Sequence, residues 1–252
     1  MADLELLTIK IQKMKIESTN DNIPTTPAIT YSECYRLPFL SLFHADCMEI
    51  MKQYPDKYFD LAIVDPPYGI KASSGASTNG TMRKKIASGE IKGGDWDDKI
   101  PTPEDLEQLF RVSKNQIIGG RNYFGLPASK CFLIWDKGES IYNRDFAECE
   151  MAWASFDKCA RMFKKFPNQN DRIHPTQKPI DLYDWALQRF VEPNAKILDT
   201  HFGSGSIALA VDKANRLDKM NLHLTACEID KEYIDKAIKR ISESIKQGTL
   251  SF

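Results

Sequence analysis

The sequence has no charge excess of either sign: 34 lysines and arginines stand against 35 aspartates and glutamates, a formal net charge of −1. That excludes a globally basic field advertising nucleic acid, although a local basic face is compatible with it. No apolar run approaches the roughly 20 residues needed to span a membrane. The opening MADLELLTIKIQKMKIES mixes acids and lysines among its apolar residues, unlike a signal peptide. The six cysteines, Cys34, Cys47, Cys131, Cys149, Cys159 and Cys227, form no C-x-x-C pair, and no histidines stand at ligand spacing. Zinc and a disulfide framework are therefore not supported, and the thiols read as small core or surface residues in a reducing, cytoplasmic setting. Internal repeats are absent too.

The composition that remains, 42% hydrophobic and 27% charged over 252 residues, fits one large soluble domain, or one domain with an insertion, with a substantial core. Residues 1–30 read as a polar or partly helical lead-in ending in the turn-rich TNDNIPTTPA, and 31–252 as the domain. The segment 71–100 is rich in Gly, Ser, Thr and Lys, and reads as a mobile loop. Elsewhere strand-like stretches (FLSLFHAD, NQIIGG, CFLIWDK, EMAWASF, KILD, LHLTACEID) alternate with helical ones (CMEIMKQY, TPEDLEQLFRVS, DLYDWALQRFV, SIALAVDKAN, YIDKAIKRISESI). Such alternation predicts an α/β fold with a mostly parallel central sheet flanked by helices.

Two stretches carry chemistry. In DLAIVDPPYGI, the apolar run Leu61–Val64 predicts a buried strand that Asp65, Pro66 and Pro67 end abruptly. The prolines fix two φ angles and remove two N–H donors, so the place offers acceptors only, with the Tyr68 ring beside them. A matching substrate is a flat ring carrying an amino group. The alternative is a strand-ending turn in which Asp65 caps and Tyr68 packs.

In KILDTHFGSGSIALA, Gly203 and Gly205 lie between a strand and a helix, where backbone N–H groups approach a ligand closely. Glu228 ends the following strand, where an acid can hold ribose hydroxyls. The spacing also fits a dinucleotide fingerprint. Against NAD stand the lack of a second mononucleotide half and Asp199, an acid where a pyrophosphate would sit. A cofactor with an adenosine, no phosphate and a cationic centre suits Asp199 better, and S-adenosylmethionine has that makeup. For Glu228 and Asp230, the other reading is a solvated strand end leading into a helix cap.

With DPPY (Asp65–Tyr68), HPTQKP (His174–Pro179) and DTHFGSGS (Asp199–Ser206), the chain resembles the DNA amino-methyltransferases, which methylate adenine N6 or cytosine N4. The order, catalytic motif before cofactor motif, is similar to the β class of that family. RVSKNQIIGG and AECEMAWASF are reminiscent of its small phage or prophage members, among them restriction-modification enzymes. The resemblance implies a Rossmann-like, circularly permuted S-adenosylmethionine-dependent methyltransferase fold. It implies methyl transfer to adenine N6 in double-stranded DNA, by base flipping and direct in-line attack, with cytosine N4 as the alternative target. RNA, a protein glutamine amide and a non-catalytic DNA-binding role are the further alternatives.

By the same resemblance, Asp65, Pro66, Pro67 and Tyr68 form the catalytic motif. Asp199, His201, Gly203, Ser204 and Gly205 line the cofactor, Glu228 holds its ribose, and Thr176, Gln177 and Lys178 embrace its methionine end. Asp46 resembles the acid that contacts the cofactor adenine, and equally reads as an N-cap for CMEIMKQY. Thr200 and His201 depart from the family's usual Pro-Phe pair. His174 reads as structural. DNA contact is expected on 71–92, through Lys71, Arg83, Lys84 and Lys85. Sequence reading is expected on 137–172, with Arg144, Arg161, Lys164 and Lys165. No metal or membrane is implied, and a homodimer is left open.

Overall fold

The computed structural model describes residues 12–14, 33–71, 80–89, 97–98, 100–144, 147–167 and 172–249. The strands in chain order are β1 (Gln12–Met14), β2 (Glu33–Leu37), β3 (Leu40–His44), β4 (Phe59–Val64), β5 (Ser113–Gly119), β6 (Cys131–Asp136), β7 (Cys149–Ala154), β8 (Arg161–Lys164), β9 (Lys196–Asp199) and β10 (His223–Glu228). The helices are α1 (Cys47–Met51), α2 (Gly80–Ala87), α3 (Pro103–Val112), α4 (Ile180–Phe190), α5 (Ser206–Leu217) and α6 (Lys231–Thr249).

Among the described residues the strands form one sheet in the order β1-β2-β3-β10-β9-β4-β5-β7-β6-β8. The run from β3 to β5 is parallel throughout, while β7 runs antiparallel to both β5 and β6. The strands of the catalytic and cofactor motifs, β4 and β9, are far apart in the chain and adjacent in the sheet, with Leu61 opposite Ile197 and Ala62 opposite Leu198. That adjacency realises the permuted order expected from the motifs.

A parallel sheet is covered on both faces, which is why β4 reads as a continuous apolar run rather than an alternating one. Leu61 and Ile63 face one buried cluster that also holds Leu187, Val211 and Ile241 from α4, α5 and α6. Ala62 and Val64 face a second, with Met51, Leu109 and Val112 from α1 and α3. Thr102 caps α3 in a full capping box with Asp105, followed by Pro103 in the first turn. The predicted start at that place and the observed one coincide.

Two departures from the sequence reading are physical. Within 71–100, Gly80–Ala87 is helical, since Met, Arg, Lys and Ala are good helix formers even on a polar stretch. Residues 72–79, 90–96 and 99 of that loop, and most of the lead-in, lie outside the described residues. Within the lead-in, Gln12–Met14 is a strand on β2, not helix, because β2 presents an edge for pairing.

Candidate active site

The carboxyl ends of β3, β10, β9, β4 and β5 lie side by side, and each delivers a residue to one crevice: Asp46, Glu228, Asp199, Asp65 and Gly119. Ligands of open α/β sheets bind outside such strand ends.

Asp65 is held at both oxygens. The Tyr68 hydroxyl donates to Oδ1, and Lys178 Nζ donates to Oδ2 at 2.5 Å. The ammonium also lies 3.0 Å from Glu150 Oε2 and over the Tyr68 ring, 5.5 Å from its centroid. Glu150 in turn meets Lys137 at 2.9 Å. Burial opposes every charge here, but Lys178 and then Lys137 hold the Glu150 carboxyl down at about 2. The Asp65 and Glu150 carboxylates drive Lys178 well above the ordinary lysine range, despite burial acting the other way. Burial, with Asp65 and Glu150 adding to it, pushes the Tyr68 phenol far up, so it stays a donor.

The backbone around this fork is fixed from outside. Buried Asp97 accepts from the Tyr68 N–H at 2.7 Å and the Gly69 N–H at 3.1 Å, locking the turn after the prolines. Gly119 and Gly120 make the room: a Cβ on Gly119 would sit 2.3 Å from Asp65 Oδ1, and one on Gly120 would sit 2.4 Å from the Tyr68 ring. Gly120 also adopts φ +74°, which favours glycine. From the single 3-10 turn that follows, Tyr123 stacks on Tyr68 with centroids 4.9 Å apart and planes 17° apart.

On β9, Asp199 is 2% exposed. Its Oδ1 accepts the His201 N–H at 2.9 Å, and no cation pairs with it among the described residues. Burial pushes its carboxyl up to about 8 against that hydrogen bond, with Asp65 and Glu228 adding to the rise. Glu228 accepts from the Gly203 and Asp230 N–H groups, both at 2.9 Å, and burial raises it as well. His201 bonds Thr200 Oγ1 at 2.9 Å, and burial lowers its imidazole to about 4. Gly203 and Gly205 take φ of +48° and +70°.

The segment before α4 is tied to the same turn. Ser206 Oγ donates to the Lys178 carbonyl at 2.8 Å, lies 3.2 Å from Ser204 Oγ, and accepts from Arg240 at 3.0 Å. Thr176 packs on His174 Nδ1, and Gln177 Oε1 accepts from Ile173, so both stabilise their own turn. His174 is buried, with its ring centroid 4.3 Å from that of Tyr233 and its imidazole lowered to about 3, chiefly by burial and then by Lys178. Asp46 caps α1, accepting the Met48 N–H at 2.8 Å, beside the end of β10.

The structure thus brings the catalytic and cofactor motifs into one crevice. Sequence reasoning missed Gly119, Gly120, Asp97, Tyr123 and Glu150. It gave Lys178 to the cofactor, whereas here the ammonium lies on Asp65 and Glu150. The Gly-Gly pair ending a predicted strand was the one visible signal. Of the expected DNA-facing cations, Lys164 pairs with Glu139 and Lys165 with Asp181, while Arg144, Arg161 and Lys84 are exposed. Residues 145–146 and 168–171 of that segment lie outside the described residues.

A DNA methyltransferase of known structure shares this fold. The chain aligns with the PvuII DNA methyltransferase (cytosine-N4-specific) at a TM-score of 0.52 and 13% identity, over 83% of this chain and 90% of that one. Residues 133–239 match a family model described as DNA methylase. It is 22% identical over 193 residues to the protein YubD of Escherichia coli (strain K12), covering 68% of this chain and 79% of that protein. It is also 35% identical over 75 residues to the type II methyltransferase M.BglII of Bacillus subtilis, covering 30% of this chain and 19% of that protein.

Proposed function

We propose that the protein transfers a methyl group from S-adenosylmethionine to N6 of adenine in double-stranded DNA. The observation that carries this reading is the acceptor fork at Asp65, set beside the buried acids of the neighbouring β9 turn.

The crevice suits that cofactor. Asp199 is buried and Glu228 half-buried, neither is held by a cation among the described residues, and burial pushes Asp199 up to about 8. A cationic, hydroxyl-bearing nucleoside answers both: a positive centre near Asp199 and ribose hydroxyls at Glu228. His201 offers a flat neutral face, and Asp46 stands at the adenine end. When bound, the cofactor supplies an electrophilic methyl group on sulfur.

The chain's own residues do the rest. An exocyclic amine delocalises its lone pair into its ring and must pyramidalise to attack. Accepting its two N–H bonds, at the Asp65 carboxylate and the Pro66 carbonyl, favours that geometry and stabilises the growing positive charge. The Tyr68 hydroxyl occupies Asp65 Oδ1 in this structure, so an incoming amine takes its place. Tyr68 then stacks the base. Because the amine is buried in a duplex, the base is flipped into the crevice. Adenine is preferred because an acid at the head of the motif resembles adenine enzymes, whereas a serine there more often marks cytosine enzymes.

Methylated DNA is digested to nucleosides and analysed by mass spectrometry, with N6-methyladenine expected. N4-methylcytosine as the sole product overturns the choice of base. Absence of methyl transfer to any DNA overturns the function.

A further inference from the structure

Resting on that function, the geometry points to Glu150 and Lys178 as a pair of positioning residues that set the charge of the acceptor fork: Lys178 fixes Asp65, and Glu150 cancels the positive charge that Lys178 brings. Lys178 Nζ lies 2.5 Å from Asp65 Oδ2 and 3.0 Å from Glu150 Oε2, with the lysine side chain only 10% exposed. Lys178 locks one carboxylate oxygen and leaves Oδ1 to face the crevice, where the Tyr68 hydroxyl now sits.

That orientation carries an electrostatic penalty. Asp65 and Lys178 alone make a neutral pair, and the target nitrogen becomes positive as it attacks. A neutral pair attracts that charge weakly, and the ammonium repels it. With Glu150 on the same ammonium the trio carries a net charge of −1, and Lys137, 2.9 Å from the other Glu150 oxygen, brings the four groups to neutral. Without Glu150 the cluster is left with a net charge of +1 and repels a growing cation. The remaining titratable groups packed around it do not change this count at neutral pH: the Tyr68 and Tyr183 phenols are held far above their ordinary range by burial, and the His174 imidazole is held down at about 3.

The sheet explains how a residue outside the DPPY, HPTQKP and DTHFGSGS motifs reaches this place. β7 runs opposite to β5 and β6, so its beginning, not its end, lies at the carboxyl edge. Glu150 is its second residue, opposite Trp135 near the end of β6.

Single-turnover methyl transfer by the full chain tests this. Glu150→Gln slows it by about tenfold or more, with cofactor and DNA affinity within about twofold of wild type. Lys178→Met shifts the acid limb of the pH–rate profile upward, and the double variant is faster than Glu150→Gln alone, because the uncompensated ammonium is gone.

A wild-type rate in Glu150→Gln, or a double variant no faster than that single one, overturns the inference. If Glu150→Gln does not fold, the Lys178→Met pH–rate profile decides, and an unmoved acid limb overturns the inference. If the wild-type protein methylates no DNA, the proposed function falls, whereas wild-type turnover with an unslowed Glu150→Gln removes the inference alone.

Discussion

Asp65 and Asp199 end neighbouring parallel strands, β4 and β9, yet their surroundings are opposite. Asp65 is saturated in the free chain, with a lysine on one oxygen and a phenol on the other. Among the described residues Asp199 has a single backbone N–H, and burial pushes it up to about 8. The difference teaches that one acid is prepared as a finished acceptor, while the other is kept short of a positive charge that a ligand must bring. A preorganised group costs little reorganisation during reaction, and an unsatisfied one gains most on binding.

The largest expected effect breaks the finished side. Asp65→Ala lowers single-turnover methyl transfer by about 10³-fold or more, since the charge-stabilising acceptor is removed, while cofactor affinity by calorimetry stays within about threefold. Gly120→Ala attacks the same side through space and backbone. With φ +74° and a Cβ placed 2.4 Å from the Tyr68 ring, it costs about 1–3 kcal/mol in chemical denaturation and slows transfer by tens of fold.

Asp199→Asn tests the unfinished side. It weakens cofactor binding about 10- to 100-fold by calorimetry, the range of a lost charged hydrogen bond. In wild type at pH 7, binding a cation releases the Asp199 proton, visible as a binding enthalpy that varies with buffer ionisation enthalpy; the variant loses that dependence.

Stability of the cofactor-free chain follows with a definite sign. The folded Asp199 carboxyl titrates near 8 and an unfolded one near 4, so between those values the folded state binds the extra proton and stability falls as pH rises. Glu228 acts in the same sense. His174 and His201, lowered to about 3 and about 4, act oppositely below 6.5, where the unfolded chain holds their protons. The loss therefore shows between about pH 6.5 and 8 in thermal melts, and Asp199→Asn flattens it.

The smallest effect lies away from both acids. Neutralising Arg83, Lys84 and Lys85 on α2 weakens DNA binding and reduces the salt slope by up to about 0.9 for each lost phosphate contact.

Much of this comparison was legible in the sequence wherever it is local. Asp65-Pro66-Pro67 after an apolar run, and Gly203-x-Gly205 between a strand and a helix, announce their backbone within a few residues. Asp46 was read both as a helix cap and as a cofactor contact, and the cap is plain. What was not legible depends on pairing across the sheet. Lys178 lies 113 residues from Asp65, so no window of sequence shows that its ammonium meets that carboxylate. Glu150 in CEMAWA looks like an ordinary polar position of an alternating strand, and only the reversed direction of β7 brings it to the crevice. The α2 helix was hidden because its polar composition resembles a loop.

The order of strands also governs how the chain is made. β3 and β4 are not neighbours: β10 and β9, made later than both, are inserted between them. A nascent chain stopped before Lys196 already holds all of D-P-P-Y, but its β3 and β4 still expose open edges, and its sheet is two separate pieces. Such edges invite pairing with other chains. The gap closes only when residues 196–228 emerge, so a product cut short before them has no assembled crevice.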